Sequence, residues 1–302
     1  MFTLRQYLLA LLDSRGLTRT LGEIDVCRDE QGRPCFSAGN SAAVFRIRLG
    51  GRIRSLRCYL RPMRHLKEIY GQRLLEKELY LHTSPETGVW VDTVLGDWIE
   101  GSTLHETVAQ AAALRDRECL QILVRLFDRL ALALVTDDRA HGDLKPENII
   151  VGDDGTLCPI DFDASYLPAF AGEISPELGT AAYQHPARTA ADFDERIDDY
   201  PAALISTALH ALAEDPTLWD RYGSSDGLLY TPQRIASDPA YRETLALFEK
   251  RGMAVQYRIA QLLTAPTLRL FGLAELLAEA VREKPAARSG TEAETPELFV
   301  EN

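Results

Sequence analysis

Between residues 34 and 59 apolar and polar positions alternate with a period of two. Phe45, Ile47 and Leu49 are separated by Arg46 and Arg48, and after Gly50-Gly51 the residues Ile53 and Ser55 follow Arg52 and Arg54. This period marks a half-buried strand, and Gly-Gly between two such runs predicts a β-hairpin. Over 66–82 the spacing changes: Ile69, Leu74, Leu75, Leu79 and Leu81 recur at roughly helical intervals, which predicts a helix. Short strand-like runs follow at 89–92 and 94–99. Beyond residue 104 the pattern is helical, at 104–114, 119–135, 195–212 and 242–282. Leu120, Leu123, Phe127, Leu130 and Leu134 fall at alternating three- and four-residue steps, so they are expected on one buried helix face. At the start, Leu4, Leu8, Leu9, Leu11 and Leu12 interrupted by Arg5 predict an amphipathic helix. Its apolar stretch is too short for a secretory signal. The tail, 284–302, is acidic and aperiodic and is expected to be mobile.

Composition narrows the class. The chain has 302 residues, 46% hydrophobic and 26% charged, which suits one large globular domain or two modest ones. No apolar run approaches the roughly 18 residues of a membrane span, so no membrane partner is expected. The net charge of -12 disfavours a general nucleic-acid binder. Cys27, Cys35, Cys58, Cys119 and Cys158 are widely spaced and include no CxxC pair, which argues against a disulfide framework or zinc site and for a cytoplasmic protein.

The most informative stretch runs from His141 to Asn148 (HGDLKPEN), followed by Asp161-Phe162-Asp163. Phosphoryl transfer from ATP needs a carboxylate for the attacking hydroxyl, a cation at the transferred phosphate and oxygen ligands for magnesium. Asp143, Lys145, Asn148 and Asp161 supply those chemical types. Apolar runs at 149–151 and 157–160, split by Gly152-Asp153-Asp154-Gly155, predict a hairpin that brings Asn148 and Asp161 to one end of two paired strands. Taken singly, each residue has a plainer reading as a helix cap, turn residue or strand-end carboxylate.

HGDLKPEN resembles the catalytic loop of the eukaryotic-type Ser/Thr protein kinase family, and DFD resembles its metal-binding DFG segment. The resemblance implies that Asp143 is the catalytic base, Lys145 the partner of the transferred phosphate, and Asn148 and Asp161 magnesium ligands, with ATP and Mg as cofactors. Lys145, two residues after the base, favours protein kinases over the related small-molecule phosphotransferases. Residues 37–44 resemble the family's G-x-G-x-x-G-x-V phosphate loop with only Gly39 kept and Val44 at its end; the side chains of Ser37 and Ala42 imply a looser nucleotide grip. Where the family has a strand lysine this chain has Arg57, with Arg61 the alternative if the register slips. A planar guanidinium cannot occupy the same point between phosphates as an ammonium. Glu76, on the predicted helix, is the candidate ion-pair partner of Arg57, with Glu78 the runner-up.

Residues 179–187 resemble the GTxxYxAPE end of the activation segment, with Ala187 replacing a glutamate that normally pairs with an arginine in the C-terminal helices. Asp198-Asp199-Tyr200 resembles the D-x-W start of the central buried helix, whose aspartate braces the catalytic loop. Gly142 stands where many regulated kinases have an arginine that binds an activation-loop phosphate. Asp163 replaces the glycine of DFG; it either restricts the metal-binding turn or adds a ligand.

The expected fold is α+β, a two-lobed protein-kinase-like arrangement. It comprises an N-terminal helical extension (1–33), a small antiparallel-sheet lobe (34–98), a larger helical lobe (99–283) and the acidic tail (284–302), with nucleotide between the lobes. The expected function is ATP/Mg-dependent phosphoryl transfer to Ser/Thr of a protein substrate. The alternative is a pseudokinase scaffold that binds nucleotide or a partner, favoured by Arg57, the depleted glycine loop, Asp163 and Ala187; a small-molecule phosphotransferase is a third reading. The basic stretch Arg46, Arg48, Arg52, Arg54, Arg57, Arg61, Arg64 and Lys67 is expected to be the solvated face of two strands, or else a docking patch for an acidic partner or phosphate.

Overall fold

The computed structural model describes residues 1–282, so the tail expected to be mobile lies outside the described residues. The chain forms two compact units, Met1–Ile99 and a second that starts at Glu100.

The first unit contains helix α1 (Leu4–Leu12), strands β1 (Asp25–Val26), β2 (Phe36–Ala38), β3 (Ala42–Leu49) and β4 (Arg52–Tyr59), short helix α2 (Leu66–Tyr70), and strands β5 (Leu74–His82) and β6 (Gly88–Asp97). All pairings are antiparallel, in the order β1-β3-β4-β6-β5, with β2 also on β3. The runs expected as two strands near 89–99 are the single strand β6. Gly50 and Gly51 have φ of 54° and 78°, the left-handed pair that a two-residue hairpin turn requires, and Leu49 faces Arg52 across it.

That turn pairs odd positions of β3 with even positions of β4. Phe45 lies opposite Leu56 and Ala43 opposite Cys58, all four fully buried, while Arg46 lies opposite Ser55 and Val44 opposite Arg57. Arg52 and Arg54 therefore share the core face, at its rim, and Arg46, Arg48 and Arg57 lie on the other. The single arginine face expected from the sequence is corrected to two, so a partner approaching one side of the sheet meets only part of the basic stretch. Arg54 is held at the rim by Gly96 O at 3.0 Å and Asp97 Oδ1 at 3.1 Å.

The core of this unit joins Tyr7 and Leu11 of α1 to Phe45, Ile47, Leu56, Leu79 and Leu81. A capping box of Thr3 and Gln6 starts α1, and the buried Tyr7 hydroxyl donates to Tyr59 O at 2.6 Å.

The helix predicted over 66–82 is overturned after its first turn. Gly71, at φ 50°, ends α2; one 3-10 turn follows and β5 begins. A bulge at Lys77, also at φ 50°, shifts the register between Leu75 and Leu79. Four residues of β5, from Leu75 to Leu79, lie against two of β6, from Thr93 to Val91, and this four-residue leucine spacing is one that also reads as helix.

The second unit begins with β7 (Gly101–Thr103) and continues through α3 (Leu104–Ala113), α4 (Arg117–Thr136), β8 (Ile149–Gly152) and β9 (Leu157–Pro159). It ends with α5 (Asp199–Glu214), α6 (Leu218–Tyr222), α7 (Pro239–Arg251), α8 (Ala254–Leu262) and α9 (Leu273–Arg282). β7, β8 and β9 form an antiparallel sheet, and β8–β9 is the predicted hairpin. Leu120, Leu123, Phe127, Leu130 and Leu134 of α4 are buried as their spacing predicts. They pack in a core with α5, which is apolar on nearly every side because it runs through the centre of the unit. At the α4–α5 contact, buried Asp128 accepts the Ser206 hydroxyl at 2.7 Å and meets His210 Nε2 at 2.8 Å. The long helical pattern of 242–282 resolves into α7, α8 and α9, broken first at Gly252, whose φ of 70° forms a left-handed C-cap. The architecture is thus α+β, a curled antiparallel sheet and a helical part, compatible with a two-lobed protein-kinase-like fold. Among the described residues no helix is long and apolar enough to cross a membrane.

Candidate functional site

The site is assembled in the second unit around the turn that precedes β8. Asp198, buried just before α5, accepts the backbone N–H of His141 at 2.5 Å and of Gly142 at 3.0 Å. Burial pushes its carboxyl above the usual range, opposed by His141, these two N–H donors and Arg188. His141 Nε2 lies 2.8 Å from Ile160 O, and Ala140 and Tyr166 exchange backbone bonds at 3.1 and 2.9 Å. Residues 140–142 are thereby stitched to the segment after β9. The approach is close: a Cβ at Gly142, where φ is 81°, would lie 2.0 Å from Ala164 O. Only glycine fits.

Asp143 follows. Its Oδ1 accepts the Thr180 N–H at 2.6 Å, and its Oδ2 accepts Asn148 Nδ2 at 3.2 Å and lies 3.4 Å from Lys145 Nζ. Lys145 Nζ also donates to Thr180 Oγ1 at 2.8 Å, and Asn148 Nδ2 to the Asp143 carbonyl at 2.9 Å. Asn148 ends the 3-10 turn Pro146–Asn148, and its carbonyl accepts the Ile160 N–H at 2.8 Å. Asp161 comes next, two residues beyond the end of β9, in the left-handed region at φ 67°, which Asp tolerates better than most residues. The β8–β9 register therefore puts Asn148 and Asp161 at one end of the hairpin.

With its nitrogen committed to Asp143, the Asn148 amide keeps Oδ1 as an acceptor, and the Asp161 carboxylate is a second hard oxygen. Among the described residues no three His, Cys, Asp or Glu cluster to hold a metal. Two oxygen ligands are what magnesium takes when phosphate and water complete its shell, so the residues fit.

The other predicted residues lie in the first unit. Gly39 is in the β2–β3 turn, its N–H donating to Ala42 O at 2.9 Å. Val44, on β3, pairs with Ser37 and with Arg57, whose guanidinium lies 5.8 Å from the Tyr59 ring centre. Glu76 is corrected: it is an exposed residue of β5, not of a helix, and its carboxylate is 3.6 Å from Lys67 Nζ. Glu78, the runner-up, is buried and clasps the chain before β1. It accepts the N–H groups of Arg19 at 3.1 Å and of Thr20 and Leu21 at 2.9 Å, and the Thr20 hydroxyl at 2.6 Å.

The sequence reading missed Gln184 and Arg188, whose side chains reach the Gly142 carbonyl region, and nothing local in the sequence signals either one. It also missed the role of Thr180, although the Gly179-Thr180 pair is a signal. Gly179 has φ 72°, and a Cβ there would meet Gly142 O at 2.8 Å. Near Ala187, His185 Nε2 lies 3.0 Å from Ala265 O and Gln233 Nε2 donates to Ala181 O at 2.9 Å.

No family model matches the chain. It is similar to CBL-interacting protein kinase 17 of Oryza sativa subsp. japonica, 28% identical over 172 residues, 54% of this chain and 35% of the relative. It is also similar to serine/threonine-protein kinase PknL of Mycobacterium tuberculosis, 34% identical over 113 residues, 35% of this chain and 27% of the relative. Both relatives are protein kinases. The chain spans about a third of their length. These matches support a kinase-like family at low identity and partial coverage.

Proposed function

We propose that the chain catalyses ATP- and magnesium-dependent phosphoryl transfer to a serine or threonine hydroxyl of a protein. The observation that carries this reading is the Asp143 carboxylate with Lys145, Asn148 and Thr180 all within hydrogen-bond reach of it or of one another. The substrate hydroxyl oxygen bonds to the γ-phosphorus of ATP as the bond to the β–γ bridging oxygen breaks, and its proton passes to Asp143. A carboxylate has about four acceptor positions, so Asp143 keeps room for that proton while holding its neighbours. Lys145, steadied by Thr180, turns an ammonium toward the transferred group. Asn148 and Asp161 would hold magnesium, which when bound neutralises charge on the phosphates. Gly39, Val44 and Arg57 are proposed to contribute nucleotide affinity. The names of the two relatives support the reaction class.

A scaffold that binds nucleotide or a partner without transfer is the second reading, favoured by a phosphate loop reduced to Gly39 and by Arg57 in the lysine position. Transfer of labelled γ-phosphate from ATP to protein separates the two. Wild type is expected to transfer, and Asp143→Asn to lose about 10²- to 10⁴-fold of the rate. Equal rates in both proteins would remove Asp143 from the mechanism, and nucleotide binding without transfer would favour the scaffold.

A further inference from the structure

Position 142 is closed to side chains by the Ala164 carbonyl, so no cation can reach the catalytic turn from there. Arg188 reaches it through the Gly142 carbonyl. Arg188 is 9% exposed; its Nη1 donates to the Gly142 carbonyl at 3.1 Å and to Oε1 of Gln184, four residues earlier. The two peptide groups flanking the Gly142 Cα are thus both held, one N–H by Asp198 and the next carbonyl by Arg188. The second of these peptides carries Asp143.

This arrangement is a costly way to fill space. Arg188 Nε and Nη2 and Gln184 Nε2 are buried with no hydrogen-bond partner, and a buried donor left unpaired is destabilising. Burial pushes the guanidinium pKa down, opposed chiefly by the carboxylates of Asp198 and Asp143. An apolar side chain of similar volume would pack there at lower cost. We propose that Arg188 is a positioning residue for Asp143, fixing the 142–143 peptide so that the carboxylate faces the substrate hydroxyl. The proposal deepens the phosphotransfer reading and rests on it.

Arg188→Met, Arg188→Lys and Asp143→Asn are compared with wild type by steady-state transfer kinetics and by backbone amide hydrogen exchange. Arg188→Met is expected to lower kcat about 10- to 100-fold with the KM for ATP within about twofold, and to speed exchange at Asp143 and Thr180. Arg188→Lys, which keeps the charge and a donor, should recover kcat to within about tenfold of wild type. Wild-type kcat in Arg188→Met, with transfer lost in Asp143→Asn, would overturn the proposal and leave the phosphotransfer reading intact. A wild-type protein that transfers nothing would sink that reading instead. Exchange then decides alone: faster exchange at Asp143 and Thr180 in Arg188→Met sustains the positioning contact, and unchanged exchange overturns it. Should the methionine variant not fold, Arg188→Gln, too short to reach the Gly142 carbonyl, takes its place with the same expected outcomes.

Discussion

Gly142 and Gly39 both stand in segments that resemble nucleotide-handling loops, yet their surroundings differ. The N–H of Gly142 goes to Asp198 and its carbonyl to Arg188, both far away in sequence, and Ala164 fills the space a side chain would need. Gly39 donates to Ala42 across its own turn, and among the described residues a Cβ there would approach nothing closer than that carbonyl oxygen at 4.0 Å. Packing dictates residue identity at the first position. At the second, only a bound ligand would. Under the proposed phosphotransfer function, the side chains of Ser37 and Ala42, where the resemblance would place glycines, bear on nucleotide affinity.

The comparison can be broken by substitution. Gly142→Ala is expected to have the largest effect, destabilising the protein by about 3–5 kcal/mol through left-handed strain and the clash with Ala164, read by denaturant unfolding. Glu78→Ala tests whether the first unit also depends on distant bracing: it strands the N–H groups of Thr20 and Leu21 and the Thr20 hydroxyl, while the Arg19 N–H keeps the residue-78 carbonyl at 3.0 Å, and it should cost about 2–4 kcal/mol by the same measurement. Arg57→Ala probes ligand rather than packing. It should weaken ATP binding about 10- to 100-fold by calorimetry while leaving Tm near wild type, and Arg57→Lys should retain binding. Unchanged affinity in Arg57→Ala would assign the phosphate role to another residue, with Arg61 the first to test, and no measurable affinity in wild type would remove ATP binding altogether.

Asp199 offers a smaller, pH-dependent test inside the second unit. Its Oδ2 accepts the Leu270 N–H at 3.3 Å, and burial pushes its carboxyl from 3.8 up to about 7. The folded pKa is the higher one, so the folded state binds the proton more tightly. The stability contributed by this group is fully present below about 3.8 and is lost as pH rises through about 7. Asn can still accept from Leu270, so Asp199→Asn should be more stable than wild type at pH 8 by about 1–2 kcal/mol, with the difference shrinking toward pH 5. A variant less stable than wild type at pH 8 would show that the carboxylate is needed for its charge. Gly39→Ala is expected to change stability by under about 1 kcal/mol. A cost there equal to that of Gly142→Ala would collapse the contrast between the two loops.

Much of this was legible from residue order. The Gly50-Gly51 hairpin, the buried face of α4 and the β8–β9 hairpin that brings Asn148 beside Asp161 all follow from turn chemistry and from spacings of two, three or four residues. Such signals are local, and the chain carries them wherever an element and its turn lie within a few residues. The tertiary structure decided the rest. The bulge at Lys77 turned a predicted helix into β5, and the chain before β1 took up Glu78, which had been a candidate partner for Arg57. Arg188 reached Gly142 from 46 residues away, and Asp198 from 56. Periodicity records which way a side chain points along its own element; which distant backbone group it meets depends on how elements pack, and no spacing along the chain encodes that.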